Sequence, residues 1–346
     1  MSYEALMEKL GFAGSEKLEK ILKYVMDEEE AKVASALPGT IDEISAKVGI
    51  EKERVRDILE GLFKKGVVFP RDFKNREYFR FARDIIQLHD STLASKHVKD
   101  PELARFWKEF LEYEGYKRMG ELLSLSGVKI WRVIPAYNAI KDLPDVLPHE
   151  NMKEIMKAQQ KIAVVPCSCR NLSMLIREPC KHTDEKTWHC IQVGRGAEYV
   201  IAKDAGIELS HEAALALIDE IERDGLVHTW PNTSKMVDPR ITVNCNCCPD
   251  CCEFFLSSRA AKVDIGSIIE KSRYEAFVEI DKCTGCQTCV ERCPFDAIEL
   301  FKPEGSKKFK ARVIPEKCFG CGVCVVGCER SAIRLKAVRP PEFIPP

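Results

Sequence analysis

Cysteine is the residue type of this chain whose number and spacing point most directly to chemistry. The 346 residues include 17 cysteines, and none of them precedes Cys167. Disulfides are rare in intracellular proteins, and a chain of this length does not need them to stabilise its core. The thiols are therefore expected to bind metal, as a distal set of eight and a central set of nine.

The distal set is an internal repeat with a period of 35 residues, and each half has the spacing C-x2-C-x2-C-x3-C. This spacing is typical of loops that hold 4Fe–4S clusters. Three thiolates on one tight loop can reach three irons, whereas the fourth points away and reaches the cluster of the other half. The repeat therefore predicts two [4Fe–4S] clusters, one on Cys283, Cys286, Cys289 and Cys328, and one on Cys318, Cys321, Cys324 and Cys293.

Two zinc ribbons are the alternative for this repeat, but zinc sites usually combine two separated C-x2-C pairs. Residues 273–335 resemble the dicluster bacterial-type ferredoxins, which implies a ferredoxin-like domain of the βαββαβ type. The chain departs from that family at Glu329, where proline usually follows the fourth cysteine. Because proline is not a ligand, the departure affects the local loop and not the predicted clusters.

The central set contains four isolated cysteines and the run Cys-Asn-Cys-Cys-Pro-Asp-Cys-Cys. Adjacent cysteines do not easily serve one tetrahedral ion, and nine thiolates complete at most two four-cysteine sites with one thiol to spare. The set predicts one or more further iron–sulfur clusters, with a structural zinc or metal-free buried thiols as the alternatives. The candidate ligands are Cys167, Cys169, Cys180, Cys190, Cys245, Cys247, Cys248, Cys251 and Cys252.

Basic residues and histidines lie close to these cysteines in the sequence. Positive charge at Arg170, Lys181, His182 and His189 would offset the negative charge of thiolate-bound clusters. Three of the histidines are also candidate ligands or proton donors, namely His182, His189 and His228.

Three motifs of the central segment resemble a family of 4Fe–4S proteins of anaerobes. They are Pro166-Cys-x-Cys-Arg170, Gly225-Leu-Val-His228 and the cysteine run. In that family such a module precedes a dicluster ferredoxin domain. The resemblance covers residues 132–335, and it implies clusters and electron transfer without naming a substrate.

Short strands and helices must position the central thiols. Residues 162–165 are an apolar, β-branched run ended by Pro166, which predicts a buried strand that leads directly into Cys167. Ser210 and Gly225 are expected to cap the two ends of a helix. A strand over 241–243 is expected to lead into the cysteine run.

The first 166 residues contain no thiol. The first half of this segment resembles the winged-helix domains of bacterial regulators. The resemblance rests on its short helices, a capping box from Thr40 to Glu43, a helix over 51–65 and a hairpin over 67–81. Residues 1–82 carry 15 basic and 16 acidic side chains, whereas DNA-binding domains usually present a basic face. Docking of a protein, or formation of a homodimer, is therefore favoured over DNA binding.

Together these patterns predict an α+β chain of several domains. A winged helix (1–82) precedes a helical connector (83–160), a central α/β cysteine-rich module (161–272) and a dicluster ferredoxin domain (273–346). The sequence has no apolar run of about 18 residues that would cross a membrane. It also begins without the apolar core of a signal peptide, so a cytoplasmic location is expected.

The cysteine pattern favours an iron–sulfur electron-transfer protein of anaerobic metabolism. It would exchange low-potential electrons with a larger oxidoreductase, for example a flavoprotein. Two alternatives stay open: a redox-sensing winged-helix regulator, and a reductase with a catalytic cluster in the central module. The sequence contains neither G-x-G-x-x-G after a strand nor a P-loop, so no nucleotide or flavin site of standard type is visible in it.

Overall fold

The computed structural model of the protein describes residues 2–305 and 308–344. Its N-terminal part contains helices α1 (Ser2–Lys9), α2 (Glu16–Val25), α3 (Glu28–Ser35), α4 (Ile41–Val48) and α5 (Lys52–Lys65), and strands β1 (Gly39–Thr40), β2 (Val68–Pro70) and β3 (Tyr78–Phe81). The strands form a sheet of order β1-β3-β2. Thr40 and Glu43 form the predicted capping box at the start of α4, and Gly66, in the left-handed conformation, ends α5.

Three helices connect this part to the rest of the chain: α6 (Ile85–Leu93), α7 (Pro101–Phe110) and α8 (Tyr116–Leu125). A π-helical turn over Leu111–Gly115 lies between α7 and α8. Asp100 accepts the backbone N–H groups of Glu102 and Leu103 and thereby caps α7, whose first residue is Pro101. Trp107 and Phe110 of α7 are buried in the core.

The central sheet contains seven strands: β4 (Trp131–Val133), β5 (Ile162–Val165), β6 (Cys190–Val193), β7 (Ile207–Leu209), β8 (Val227–Pro231), β9 (Val243–Cys247) and β10 (Ile269–Glu270). Their order is β10-β4-β8-β9-β6-β5-β7, and every neighbouring pair is antiparallel except β10 with β4. The buried strand predicted over 162–165 is present as β5. β4 comes from the segment that the sequence indicated as a connector, so this segment also contributes to the sheet.

Six helices surround the sheet: α9 (Tyr137–Ile140), α10 (Met152–Lys157), α11 (Ser168–Leu175), α12 (Arg195–Ala202), α13 (His211–Arg223) and α14 (Glu253–Ala261). Ser210 caps α13 by accepting the N–H of Ala213, as predicted. The strand expected over 241–243 instead runs over Val243–Cys247 as β9. Its pairing with β8, in which Thr229 lies opposite Cys245, explains the shift, because cross-strand partners and not local propensity set its bounds.

The C-terminal part has two pseudo-equivalent halves. They comprise β11 (Tyr274–Val278), α15 (Thr288–Glu291) and β12 (Ile298–Phe301), then β13 (Lys310–Val313), α16 (Val323–Val326) and β14 (Ile333–Ala337). β11 pairs with β14 and β12 pairs with β13, both antiparallel. Each of these two-stranded sheets therefore contains one strand from each half. The turn between the halves includes residues 306 and 307, which lie outside the described residues.

One hydrophobic core joins the central and C-terminal parts. It includes Cys252 and Phe255 from the central part, and Phe295 and Phe319 from the two cysteine loops. A second core joins the N-terminal helices to Tyr199 of α12. Among the described residues, no helix combines the length and the apolar character needed to cross a bilayer.

Candidate metal centres

The distal thiols lie in two groups of four, and each group draws three thiols from one loop and one from the other half. Burial raises the pKa of Cys289 to about 11, and the thiols that add to this effect are those of Cys283, Cys286 and Cys328. Burial likewise raises the pKa of Cys324, with contributions from Cys321, Cys293 and Cys318 and a smaller one from Cys289 of the first group. These are the groupings that the repeat predicts, and ligation of a metal by them stays a prediction.

Backbone amides point at four of these sulfurs in a pattern that follows the repeat. In each case an alanine N–H lies 3.3 to 3.4 Å from a cysteine Sγ. N–H donors stabilise negative charge on sulfur and help to set the reduction potential of a bound cluster. The donor and acceptor pairs are Ala276 with Cys318, Ala311 with Cys283, Ala297 with Cys293, and Ala332 with Cys328.

Two glycines allow the cysteine loops to approach the opposite strands. Gly285 and Gly320 have φ angles of 76° and 67°, a region that favours glycine. A Cβ atom at Gly285 would overlap the carbonyl oxygen of Phe309, and one at Gly320 would overlap that of Tyr274. The loops therefore require glycine at both positions, for conformation and for space.

The spacing of the distal sulfurs fits a cluster and not a single ion. Ligand atoms around one ion lie close together, whereas a cubane presents its irons at separate corners. Among the described residues, no three of the eight distal thiols lie within 4.8 Å of one another. Together with the four N–H donors, this wide spacing supports the fit of 4Fe–4S clusters to the two loops.

The nine central thiols divide into a group of three and a group of six. The three-thiol site consists of Cys180, Cys248 and Cys251 with the carboxylate of Asp250, and all four ligand atoms lie within 4.8 Å of one another. Eight of the nine central thiols, all but Cys180, line an adjacent pocket. Six of them lie outside the three-thiol site, so it is called the six-thiol pocket: Cys167, Cys169, Cys190, Cys245, Cys247 and Cys252. The sequence limits the nine thiols to at most two four-cysteine sites, and in the three-thiol site the carboxylate of Asp250 stands where a fourth cysteine would complete such a site.

The six-thiol pocket lies where three strands and two helices meet. Cys167 follows β5 and precedes α11, Cys190 begins β6, and Cys252 precedes α14. Cys245 and Cys247 are two residues apart on β9, so both side chains project from the same face of the strand. The side-chain amide of Gln192 donates to Sγ of Cys190 at 3.1 Å. The thiols surround a cavity of about 40 Å³.

Two carboxylates also line this pocket, and sequence reasoning missed both. Asp90 of α6 accepts the hydroxyl of Ser168 at 2.5 Å, and Glu253 is buried at the start of α14. His89 lies 3.2 Å from Asp90 and 3.6 Å from Glu253. Burial raises the pKa of the Glu253 carboxyl, and Asp90 adds to the effect. Glu253 directly follows the cysteine run, but nothing in the local sequence connects Asp90 to it.

Arg170 lies between the two thiol groups. Its side chain is buried, its Nη2 donates to the carbonyl of Asn246 at 2.5 Å, and its Nε and Nη1 have no hydrogen-bond partner among the described residues. Burial alone would lower the pKa of this guanidinium, but Cys167, Cys248 and Cys180 together raise it. The predicted role of Arg170 in offsetting thiolate charge is therefore consistent with its position.

The histidines mostly face carboxylates and not sulfur. Nε2 of His189 lies 3.4 Å from Asp224, and burial followed by the charge of Arg170 lowers its pKa to about 4. His228 contacts the side chain of Asn246 at 2.6 Å. His182 lies 3.8 Å from Asp250, so it approaches the three-thiol site through that carboxylate. Lys181 contributes its backbone N–H to Asp250, and its side chain is exposed.

A larger cavity adjoins the six-thiol pocket. This arginine cavity has a volume of about 600 Å³ and shares Asp90 with the pocket, while Gln192 lines it and contacts Cys190. Six cations line it, and among the described residues four of them form no ion pair: Arg71, Arg80, Arg195 and Lys203. The remaining lining is largely aromatic, with Phe69, Phe73, Tyr78, Trp131 and Tyr199.

Aromatic rings connect the six-thiol pocket to the ferredoxin loops. Phe255, three residues after Cys252, lies 5.5 Å from Phe295 between ring centroids. Phe295 in turn stacks on Phe319 at 4.1 Å. Phe295 and Phe319 belong to the loops of Cys293 and Cys318, so the rings form a continuous dry contact between the two thiol sets.

Comparison with known proteins identifies the C-terminal segment. Residues 282–332 match the family described as the 4Fe-4S dicluster domain, so 4Fe–4S clusters are the cofactors of this segment. Two curated sequences from Rhodobacter capsulatus are also similar, and both are described as a subunit of an ion-translocating oxidoreductase complex. Each is 55% identical over 38 residues, which is 11% of this chain. The chain spans 20% of the length of these curated relatives.

Proposed function

We propose that the protein is an iron–sulfur electron-transfer protein that exchanges electrons with a partner oxidoreductase. Two [4Fe–4S] clusters occupy the two distal groups of four thiols, and a further cluster occupies the six-thiol pocket. When bound, a 4Fe–4S cluster supplies one-electron exchange, and the protein sets its potential and surroundings. The observation that carries the proposal is the aromatic contact from Cys252 through Phe255, Phe295 and Phe319, because it joins the two thiol sets through a dry core.

The two ferredoxin loops differ in exposure, and this difference supports a direction for electron transfer through the protein. Cys286 of the first loop is exposed, whereas Cys318, Cys321 and Cys324 of the second loop are buried. The first loop is therefore the docking point for the redox partner, and the second faces the central module. Arg292, between Cys289 and Cys293, holds the far end of the first motif on the central module by donating to the carbonyls of Glu222 and Arg223 on α13 at 2.9 and 3.0 Å. The end of that motif around Cys286 is the exposed one.

Metal analysis of anaerobically purified full-length protein tests the proposal. Two ferredoxin clusters require about eight irons and eight sulfides per chain, and a central cluster adds to that number. EPR of the reduced protein should show magnetically interacting clusters. A content well below about eight irons would contradict the dicluster assignment.

We propose that the N-terminal part is a winged-helix domain that docks a protein or a second copy of the chain; its helices and its sheet of order β1-β3-β2 support this. Basic residues of α5 are paired with acids: Arg54 with Glu29 at 2.5 Å, and Arg56 with Glu77 at 2.7 Å. Such pairs leave little free positive charge for DNA phosphates. Specific retention of DNA by the holoprotein at moderate salt would instead favour the regulator hypothesis.

A second candidate function is a reductase, and the arginine cavity favours it. Unpaired cations and aromatic walls beside the six-thiol pocket suit a substrate with an anionic group and an apolar part. The test is reoxidation of the reduced protein, without a partner, by unsaturated aromatic carboxylates that take up two electrons and two protons. Arg80→Gln should abolish such a reaction, whereas Arg240→Gln is the control because Arg240 is already paired with Asp238 at 2.6 Å.

A further inference from the structure

The three-thiol site has the geometry of a centre for one ion. Sγ of Cys180 lies 3.6 Å from Sγ of Cys248 and 3.7 Å from Oδ1 of Asp250. When Cys251 is included, the four ligand atoms all lie within 4.8 Å of one another. Ligands at such separations surround a single point, as the ligands of a tetrahedral ion do.

The distances favour one ion over a cluster. Zinc–sulfur bonds of about 2.3 Å place two thiolates of a tetrahedron about 3.8 Å apart, which is close to the separation of Cys180 and Cys248. Among the described residues, the distal thiols contain no group as compact as this one. Three sulfurs with one carboxylate oxygen suit a zinc-class ion, whereas magnesium and calcium select oxygen ligands.

Local hydrogen bonds prepare the ligands. Oδ2 of Asp250 accepts the backbone N–H of Lys181 at 2.7 Å, which leaves Oδ1 facing the thiol of Cys180. The N–H of Cys252 bonds to the carbonyl of Cys248 at 3.2 Å and closes the turn that carries Cys248, Asp250 and Cys251. Two segments that are far apart in the chain thus present their ligands to one another.

A bound divalent ion would balance part of the charge that its ligands acquire when they lose their protons on binding. Cys180, Cys248 and Cys251 are buried, and three thiolates with one carboxylate would carry four negative charges. A divalent ion neutralises two of them. The guanidinium of Arg170 faces the thiols of Cys180 and Cys248 and offsets a third.

We propose that Cys180, Cys248, Cys251 and Asp250 bind one divalent zinc-class ion with a structural role. The ion ties the loop of Cys180 to the turn of the cysteine run. Cys247 and Cys252, the immediate neighbours of Cys248 and Cys251, lie outside the three-thiol site, and all four line the six-thiol pocket. By fixing the turn, the ion directs these two thiols into the adjacent pocket. Zinc exchanges no electrons, so this site is additional to the proposed electron-transfer path.

The experiment measures zinc and iron by mass spectrometry in the full-length protein, purified without oxygen. The wild-type chain should contain about one zinc ion in addition to its iron. Cys180→Ala should lower zinc content at least about tenfold, while the iron of the ferredoxin loops remains. Asp184→Asn, in the same loop but outside the site, is the matched control and should keep its zinc.

Cobalt substitution decides the question even if Cys180→Ala does not fold. Wild-type protein loaded with Co²⁺ in place of zinc should show thiolate-to-cobalt charge transfer and intense tetrahedral d–d bands. Absence of both zinc and these bands overturns the proposal, and so does loss of iron instead of zinc in Cys180→Ala. A protein that keeps its zinc but transfers no electrons contradicts the proposed function and leaves the zinc site intact.

Discussion

The ferredoxin loops and the three-thiol site bring cysteines together in opposite ways. In each ferredoxin loop, three ligands lie within seven residues of sequence, and the sulfurs remain too far apart to share one ion. In the three-thiol site, Cys180 and Cys248 are separated by 68 residues, yet their sulfurs lie 3.6 Å apart. Spacing in the sequence therefore predicts ligation where one loop supplies the ligands, and fails where the sheet assembles them.

The difference extends to the surroundings of the sulfurs. The ferredoxin sulfurs receive backbone N–H groups, whose positions are fixed by the strands of the repeat. The central sulfurs depend on a buried side chain, Arg170, for much of their compensation. Substitutions of side chains should therefore affect the central centres more than the ferredoxin ones, except at the ligands themselves.

The largest expected effect comes from a buried ferredoxin ligand. Cys321→Ser should remove about four irons per chain and destabilise the core that Phe295 and Phe319 share with Phe255. Cys286→Ser, at the exposed position of the other loop, should lose iron with less effect on folding. Iron content and circular dichroism check both variants, and equal destabilisation would contradict the assigned asymmetry.

Arg170 tests the dependence of the central module on one side chain. Arg170→Met should weaken metal binding in the central module by about 10- to 100-fold, because the buried thiolates lose their nearest positive charge. The distal iron should remain. Arg170→Lys should retain part of the central metal, since it keeps the charge but not the planar geometry. Metal content after dialysis against a chelator is the measurement, and equal loss from both regions would remove the contrast.

Gly320 tests the claim that the ferredoxin loops depend on backbone contacts. Gly320→Ala combines a φ of 67° with overlap of the Tyr274 carbonyl, and should cost about 2–4 kcal/mol of stability. Gly49 has the same φ, and a Cβ there meets no atom within 4 Å among the described residues. Gly49→Ala should therefore cost only about 1 kcal/mol. Anaerobic denaturant unfolding measures both, and similar values would show that the close approach is unimportant.

Lys203 is a second buried basic side chain, but no neighbouring thiols raise its pKa as they raise that of Arg170. Among the described residues it forms no ion pair. Burial lowers its pKa to about 7, and its ammonium contacts the carbonyl of Ser91. Between pH 7 and the higher pKa of the unfolded chain, the unfolded state binds the additional proton. Stability should therefore rise with pH across this window, by up to about 1 kcal/mol per unit. Lys203→Met should flatten that slope relative to wild type, and an unchanged slope would refute the shift.

Several elements follow from local sequence because their determinants are local. The capping box of Thr40 and Glu43, the Ser210 cap of α13 and the buried strand β5 all rest on patterns within a few residues. The bounds of β9 do not follow from local sequence, because its partners on β8 set them. The same holds for Asp90, which reaches the six-thiol pocket only because α6 packs against α11 and places it beside Ser168.

The sequence by itself determined a dicluster 4Fe–4S segment, and it predicts the grouping of the eight ferredoxin thiols across the repeat, because a regular loop limits which irons each thiolate can reach. It also determined that the nine remaining thiols form a separate set. Only the tertiary structure decided how that set divides into three and six. The reason is that strands β5, β6 and β9 bring distant segments together, and this assembly places Cys248 and Cys251 beside Cys180 and Asp250, while their neighbours Cys247 and Cys252 lie outside that site.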